Sequence, residues 1–129
     1  MKEKGVSFMN KRAAGTAKEQ KAAEYLESRG FKVRERNYRS RQGEIDIIGC
    51  HEGYLVFVEV KYRSSTGSGY AAEAVSPLKQ RRICRVADFY RYTHGLGEDT
   101  AVRYDVVAIQ GGNIEWLLNA FPHVFGVNH

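Results

Sequence analysis

Residues 43–63 read GEIDIIGCHEGYLVFVEVKYR. Two runs rich in Ile, Val, Leu and Phe flank the polar turn His51, Glu52, Gly53, which predicts two antiparallel strands joined by a hairpin. Glu44 and Asp46 interrupt the first run, and Glu59 and Lys61 the second. Charge inside a strand that is otherwise apolar is costly unless something is paired with it.

If Glu52 and Gly53 form a two-residue turn, His51 pairs with Tyr54, Ile48 with Phe57, Asp46 with Glu59 and Glu44 with Lys61. Alternation then places all four ionisable side chains on one face with Leu55 and Phe57, and Ile45, Ile47, Val56, Val58 and Val60 on the other. Asp46 and Glu59 stand opposite each other, roughly 5 Å apart at Cβ, which is unfavourable for two like charges. A cation reverses that sign, because paired carboxylates supply the oxygen ligands that Mg²⁺ prefers. The plainer alternative is a Glu44–Lys61 cross-strand ion pair, with Asp46 turned to solvent.

The remaining chain supplies a frame for this hairpin. From about Asn10 to Arg29 apolar residues recur at helical spacing, with Gly30 placed to end the helix. FKVRERNY, from Phe31, alternates as a strand. Residues 64–74, SSTGSGYAAEA, form a Gly- and Ser-rich loop, and Ser76-Pro77 supplies the N-cap and first turn of a second helix with Ile83, Val86, Ala87 and Tyr90 on its apolar face. AVRYDVVAI and NIEWLL read as two further strands. The expected fold is α/β, a single mixed β-sheet flanked by helices in the order α-β-β-β-α-β-β. Residues 1–9 lack periodicity and read as a disordered N-terminus, and residues 10–129 as a single domain.

Lys plus Arg number 20 against 15 Asp plus Glu, a net charge of +5 that suits a polyanionic partner. Basic residues cluster in 31–41 and 78–85, framing the acidic positions. Arg36, Arg39, Arg41, Lys79 and Arg82 are the candidates for contacts to nucleic-acid phosphates. The alternative is that these charges are solvated faces, or protect an edge strand from aggregation. Tyr38 and Tyr70 are aromatic candidates for base stacking, with packing as the competing role. Cys50 and Cys84 are far apart and match no zinc or disulfide pattern, and the four histidines carry no ligand spacing. No apolar run approaches the roughly 20 residues that span a bilayer, and no apolar signal core is present, so a cytoplasmic protein with no membrane partner is expected.

The spacing of Asp46 and Glu59-Val60-Lys61 resembles the PD-(D/E)xK nuclease signature without its proline. Over residues 12–121 the chain resembles the YraN-like bacterial family of predicted endonucleases, itself distantly similar to archaeal Holliday junction resolvases. The resemblance is carried by A22-A23-E24-Y25-L26 with Gly30, N37-Y38-R39, G43-E44-I45-D46-I47-I48, L55-V56-F57-V58-E59-V60-K61 with Arg63, E73-A74-V75, K79-Q80-x-R82, Y104-D105-V106-V107 and A120-F121. It implies a restriction-endonuclease-like fold and a metal site of Asp46, Glu59 and Glu19, although Lys18 stands where the family usually has glycine. Asp46, Glu59 and Lys61 would be catalytic, with Mg²⁺ or Mn²⁺ as cofactor and DNA as partner. Analogy to the resolvases implies a homodimer. The competing classes are a nucleic-acid-binding module without cleavage, and a protein-interaction domain that keeps the fold.

Overall fold

The computed structural model describes residues 6–63 and 75–125, with the side chains of residues 6–16 and Arg63 left aside. The elements are α1 (Val6–Glu27), β1 (Lys32–Ser40), β2 (Gly43–His51), β3 (Tyr54–Arg63), α2 (Pro77–Thr93), β4 (Val102–Gln110) and β5 (Asn113–Leu117). They form one five-stranded mixed sheet in the order β1-β2-β3-β4-β5, in which only β3 and β4 run parallel. This is the element order expected from the sequence. The parallel pair requires a crossover, and α2 supplies it.

α1 begins at Val6, four residues before the start that the apolar periodicity predicts. Neither glycine nor proline occurs between Val6 and Ala14, so each added residue extends the helix at little cost. At the other end Gly30, at φ 93°, reverses the chain, and the Phe31 N–H donates to the Leu26 carbonyl. The loop at 64–74, with Tyr70, lies outside the described residues.

Each face of the sheet carries one helix. Ala22, Ala23 and Leu26 of α1 pack on Ile47, Val56, Val58, Val107 and Ile109. Ile83, Val86, Ala87 and Tyr90 of α2 pack on Ile45, Ile48, Leu55, Phe57, Tyr104 and Val106. The Ser76 hydroxyl caps α2 by accepting from the Lys79 N–H at 3.1 Å. Cys84 is buried in this second cluster. Tyr38 packs edge-on against Tyr90, at 5.1 Å between ring centroids, rather than presenting itself for stacking. No helix of the described residues is long and apolar enough to cross a membrane.

Ile45 sits on the α2 side although Ile47, two residues on, faces α1, which corrects the simple alternation expected for this strand. The cause lies in the neighbouring strand. Between the pairs Arg36–Ile47 and Tyr38–Ile45, Asn37 adopts φ 56°, a left-handed conformation that Asn tolerates better than most residues. β1 and β2 therefore exchange faces together at Asn37 and Asp46.

A second departure is a buried charge system that sequence reasoning did not single out. Asp105 is fully buried and receives both guanidinium hydrogen bonds of Arg103, at 2.9 and 2.7 Å, the Trp116 indole N–H at 2.9 Å and the Asn119 N–H at 2.8 Å. Arg103 also meets the His51 ring nitrogen at 2.9 Å. Every lone pair is answered, so this charge serves packing of the β4–β5 side. Asp105→Asn leaves the buried guanidinium without its anion and should lower stability by about 3 kcal/mol in urea unfolding; a loss below about 1 kcal/mol would contradict this role.

Candidate metal and catalytic site

The hairpin forms as its spacing predicts. Glu52 and Gly53, both at positive φ, make the two-residue turn, and the ladder runs from His51–Tyr54 through Ile48–Phe57 to Ile47–Val58. There the pairing between β2 and β3 stops, and the expected pairs Asp46–Glu59 and Glu44–Lys61 do not form. Asp46 instead uses its own carboxylate as the acceptor, and Oδ2 takes the Val60 N–H at 2.8 Å. A side chain replaces a backbone carbonyl, and the two strands separate at this end.

The separation distributes the four ionisable residues differently from the single charged face expected. Glu44 lies with Asp46 and with Glu19 of α1, one carboxylate oxygen of each falling within 4.8 Å of the others. Glu44 also meets Arg39 at 3.6 Å, not Lys61. Glu59 is buried and meets Lys79, in the first turn of α2, at 3.3 Å. Lys61 is half-buried, and its charge favours ionisation of Glu59. The expected metal set of Asp46, Glu59 and Glu19 thus differs by one member from the observed trio, which has Glu44 where Glu59 was expected. Glu44 had the signal for this role, two residues before Asp46 on the same strand.

The electrostatics identify which charge lacks compensation. Burial, followed by the charge of Glu59, raises the Asp46 carboxyl to about 7; Glu19 and Glu44 push the same way, and only the Val60 N–H opposes them. Glu59 is also raised by burial, but Lys79 and Lys61 counteract the shift. Oxygen-only donors with surplus negative charge suit a hard divalent cation, so the cluster can hold a metal ion.

Of the basic candidates, Arg36 donates to Gln20 Oε1 at 2.6 Å, and Arg39 and Lys79 are engaged by Glu44 and Glu59. Arg41 and Arg82 are exposed. The structure therefore gathers Glu19, Asp46, Glu59, Lys61 and Lys79 around one end of the sheet. The three histidines among the described residues stay out of the site: His51 contacts Arg103, His94 stacks on Tyr90 and His123 meets the Tyr104 hydroxyl.

With this geometry in hand, comparison with known proteins gives a family. The model of the uncharacterised protein family UPF0102 matches residues 18–109, a span that includes every residue of the site. A UPF0102 protein of Lachnoclostridium phytofermentans is 47% identical over 113 residues, covering 88% of this chain and 96% of its own. One of Colwellia psychrerythraea is 45% identical over 112 residues, covering 83% and 87%. Among solved structures, a repair endonuclease from Pyrococcus abyssi is similar with a TM-score of 0.42 and 24% identity, over 74% of this chain and 38% of that one. The chain thus spans well under half of that endonuclease, and a likeness this slight bears no weight for function.

The raised Asp46 carboxyl carries a consequence for stability. Between the ordinary value near 3.8 and about 7 the folded protein keeps a proton that the unfolded chain releases, so stability falls as pH rises through this window. Asp46→Asn keeps an acceptor for the Val60 N–H and removes the charge. In EDTA it should match wild type at pH 4 and exceed it by about 2 kcal/mol at pH 8, a figure reduced for the half-exposed setting; an unchanged difference between the two pH values in urea unfolding would contradict the assignment.

Proposed function

The chain belongs to the uncharacterised protein family UPF0102, as its YraN-like motifs implied, and on that premise we propose that it is a metal-dependent endonuclease of PD-(D/E)xK type. Its substrate on this reading is DNA, in particular the branched, Holliday-junction-like forms handled in repair and recombination in the cytoplasm. The observation that carries the proposal is the Glu19–Glu44–Asp46 trio with a carboxyl raised to about 7, beside the ionisable pair Glu59 and Lys61. A structural ion pair needs no such excess of negative charge, whereas a site for a divalent cation does.

Glu19, Glu44 and Asp46 would hold Mg²⁺ or Mn²⁺, with Glu59 contributing from β3. When bound, such an ion supplies Lewis acidity toward the phosphodiester and generates a nucleophilic water near neutral pH. The protein's own residues do the rest. The Asp46–Val60 hydrogen bond fixes one carboxylate oxygen in direction and leaves the other for coordination. Lys61 provides a fixed positive charge beside the carboxylates, placed to stabilise the charge that develops on the phosphoryl oxygens. Lys79 neutralises Glu59 and so eases the approach of a polyanion. Exposed Arg41 and Arg82 position the strand through its phosphates without reading sequence. A two-fold homodimer suits the two symmetric strands of a junction and belongs to the same proposal.

Labelled junction, flap, duplex, single-stranded DNA and RNA, incubated with Mg²⁺, Mn²⁺ or EDTA, test this reading. Metal-dependent cutting of branched DNA is expected, reduced at least about 100-fold in Asp46→Asn and in Lys61→Met, with Lys61→Met still folded. Binding without cutting by wild type and variants alike would instead identify a non-catalytic nucleic-acid-binding module.

A further inference from the structure

A cavity of about 250 Å³ is lined by Ala17, Lys18, Lys21, Tyr62, Ile109 and Gly111. Its character is opposite to that of the acidic trio. The Lys18 ammonium stands 4.0 Å from the centroid of the Tyr62 ring, and Tyr62 is 45% exposed. Neither Lys18 nor Lys21 meets a carboxylate among the described residues. Buried Ile109 gives the cavity an apolar wall. Gly111, at φ 60° in the β4–β5 turn, leaves its rim open, since a side chain there would meet nothing within 4 Å.

These features limit what can occupy the cavity. Among the described residues no carboxylate lines it, which does not suit a second cation site. Two uncompensated ammonium groups make it unsuitable for a purely apolar ligand. Its volume lies just below the roughly 300–1,000 Å³ of pockets for drug-sized ligands, too small for a segment of duplex. An aromatic face, an apolar wall and two cations together match one base with its flanking phosphates, the combination used wherever single strands are bound by stacking and charge.

The position supplies the second argument. Tyr62 follows Val60 by two residues on β3, about 7 Å along the strand and on the same face. The Val60 N–H is the group that holds Asp46. The cavity is therefore about one nucleotide's reach from the acidic trio, and α1 contributes to both, Glu19 to the trio and Lys18 and Lys21 to the cavity.

We propose that this cavity receives one unstacked nucleotide of the bound strand, its base on Tyr62 and its phosphates on Lys18 and Lys21. The inference rests on the nucleic-acid reading above and narrows it: the substrate carries a frayed or single-stranded nucleotide next to the site of cleavage. Lys18 would move from the ring face to a phosphate as the base enters.

The test is anisotropy of a fluorescein-labelled forked duplex with dT arms, titrated in EDTA so that no cleavage intervenes, over a range of salt. Tyr62→Leu should weaken binding roughly 5- to 150-fold, the range for losing one stacked base, while Tyr62→Phe should bind as wild type does. Lys18→Ala/Lys21→Ala should lower the slope of log affinity against log salt by about 1.4, the value for two single-strand phosphates. Free dTMP should compete only weakly. Variants that match wild type in both affinity and slope would overturn the cavity assignment alone and leave the nuclease reading standing. Competition by dTMP as strong as by the fork would make this a small-molecule site and overturn the strand assignment. A wild-type protein that does not bind the fork would overturn the assignment together with the reading beneath it.

Discussion

The hydrogen bond from the Val60 N–H to the Asp46 carboxylate sets the shape of this molecule's working end. It stands where the ladder between β2 and β3 would otherwise continue, so the two strands part after Ile47 and Val58. The parting opens the sheet to both helices at once. Glu19 reaches the gap from α1 and Lys79 from α2, while β2 and β3 bring Glu44, Asp46, Glu59 and Lys61. The left-handed Asn37 in β1 is the complementary adjustment, since it lets Tyr38 and Ile45 turn together into the α2 core as Asp46 takes up its separate role.

Two sets of charge within one sheet illustrate how burial and compensation separate structure from function. Around Asp105 every acceptor has a donor, and the charge is held inside the fold by a bidentate guanidinium, an indole and a backbone N–H. Around Asp46 three further carboxylates crowd a single backbone donor, and the carboxyl keeps its proton to about pH 7. The first arrangement is complete in itself, and the second is completed only by adding positive charge. That difference is why the end of the hairpin, and not the more deeply buried Asp105, is the candidate site.

Much of this was legible in the sequence, for identifiable reasons. Period-two alternation and a two-residue turn determine a register, and Ile48–Phe57 and His51–Tyr54 pair as that rule requires. Ser76 and Pro77 marked the start of α2 because capping is local chemistry. The family was legible from the order and spacing of its motifs, and the match over residues 18–109 bears it out. The change of face at Asp46 was not legible, because it depends on an Asn in the adjacent strand taking a conformation that most residues avoid. Extending the ladder from Ile47–Val58 to Glu44–Lys61 carries it three residues too far, which is why Glu44 does not meet Lys61; Lys79, expected at a phosphate, contacts Glu59 because α2 docks there. Arg103 and Asp105, two apart in an apolar run, carried the same kind of signal as Glu44 and Asp46, and only tertiary packing tells the closed charge system from the open one.

The central claim is that the Asp46 cluster is a cation site whose carboxyl is partly protonated when empty. Calorimetric titration of Mn²⁺ at pH 7, run in two buffers of different ionisation enthalpy, tests it most directly, because a metal must displace the proton that the carboxyl holds. The account predicts saturable binding whose heat differs between the buffers by the ionisation of a fraction of a proton, and loss of that binding in Asp46→Asn. Absence of Mn²⁺ binding, or binding of equal strength and without proton release in wild type and Asp46→Asn, would contradict it.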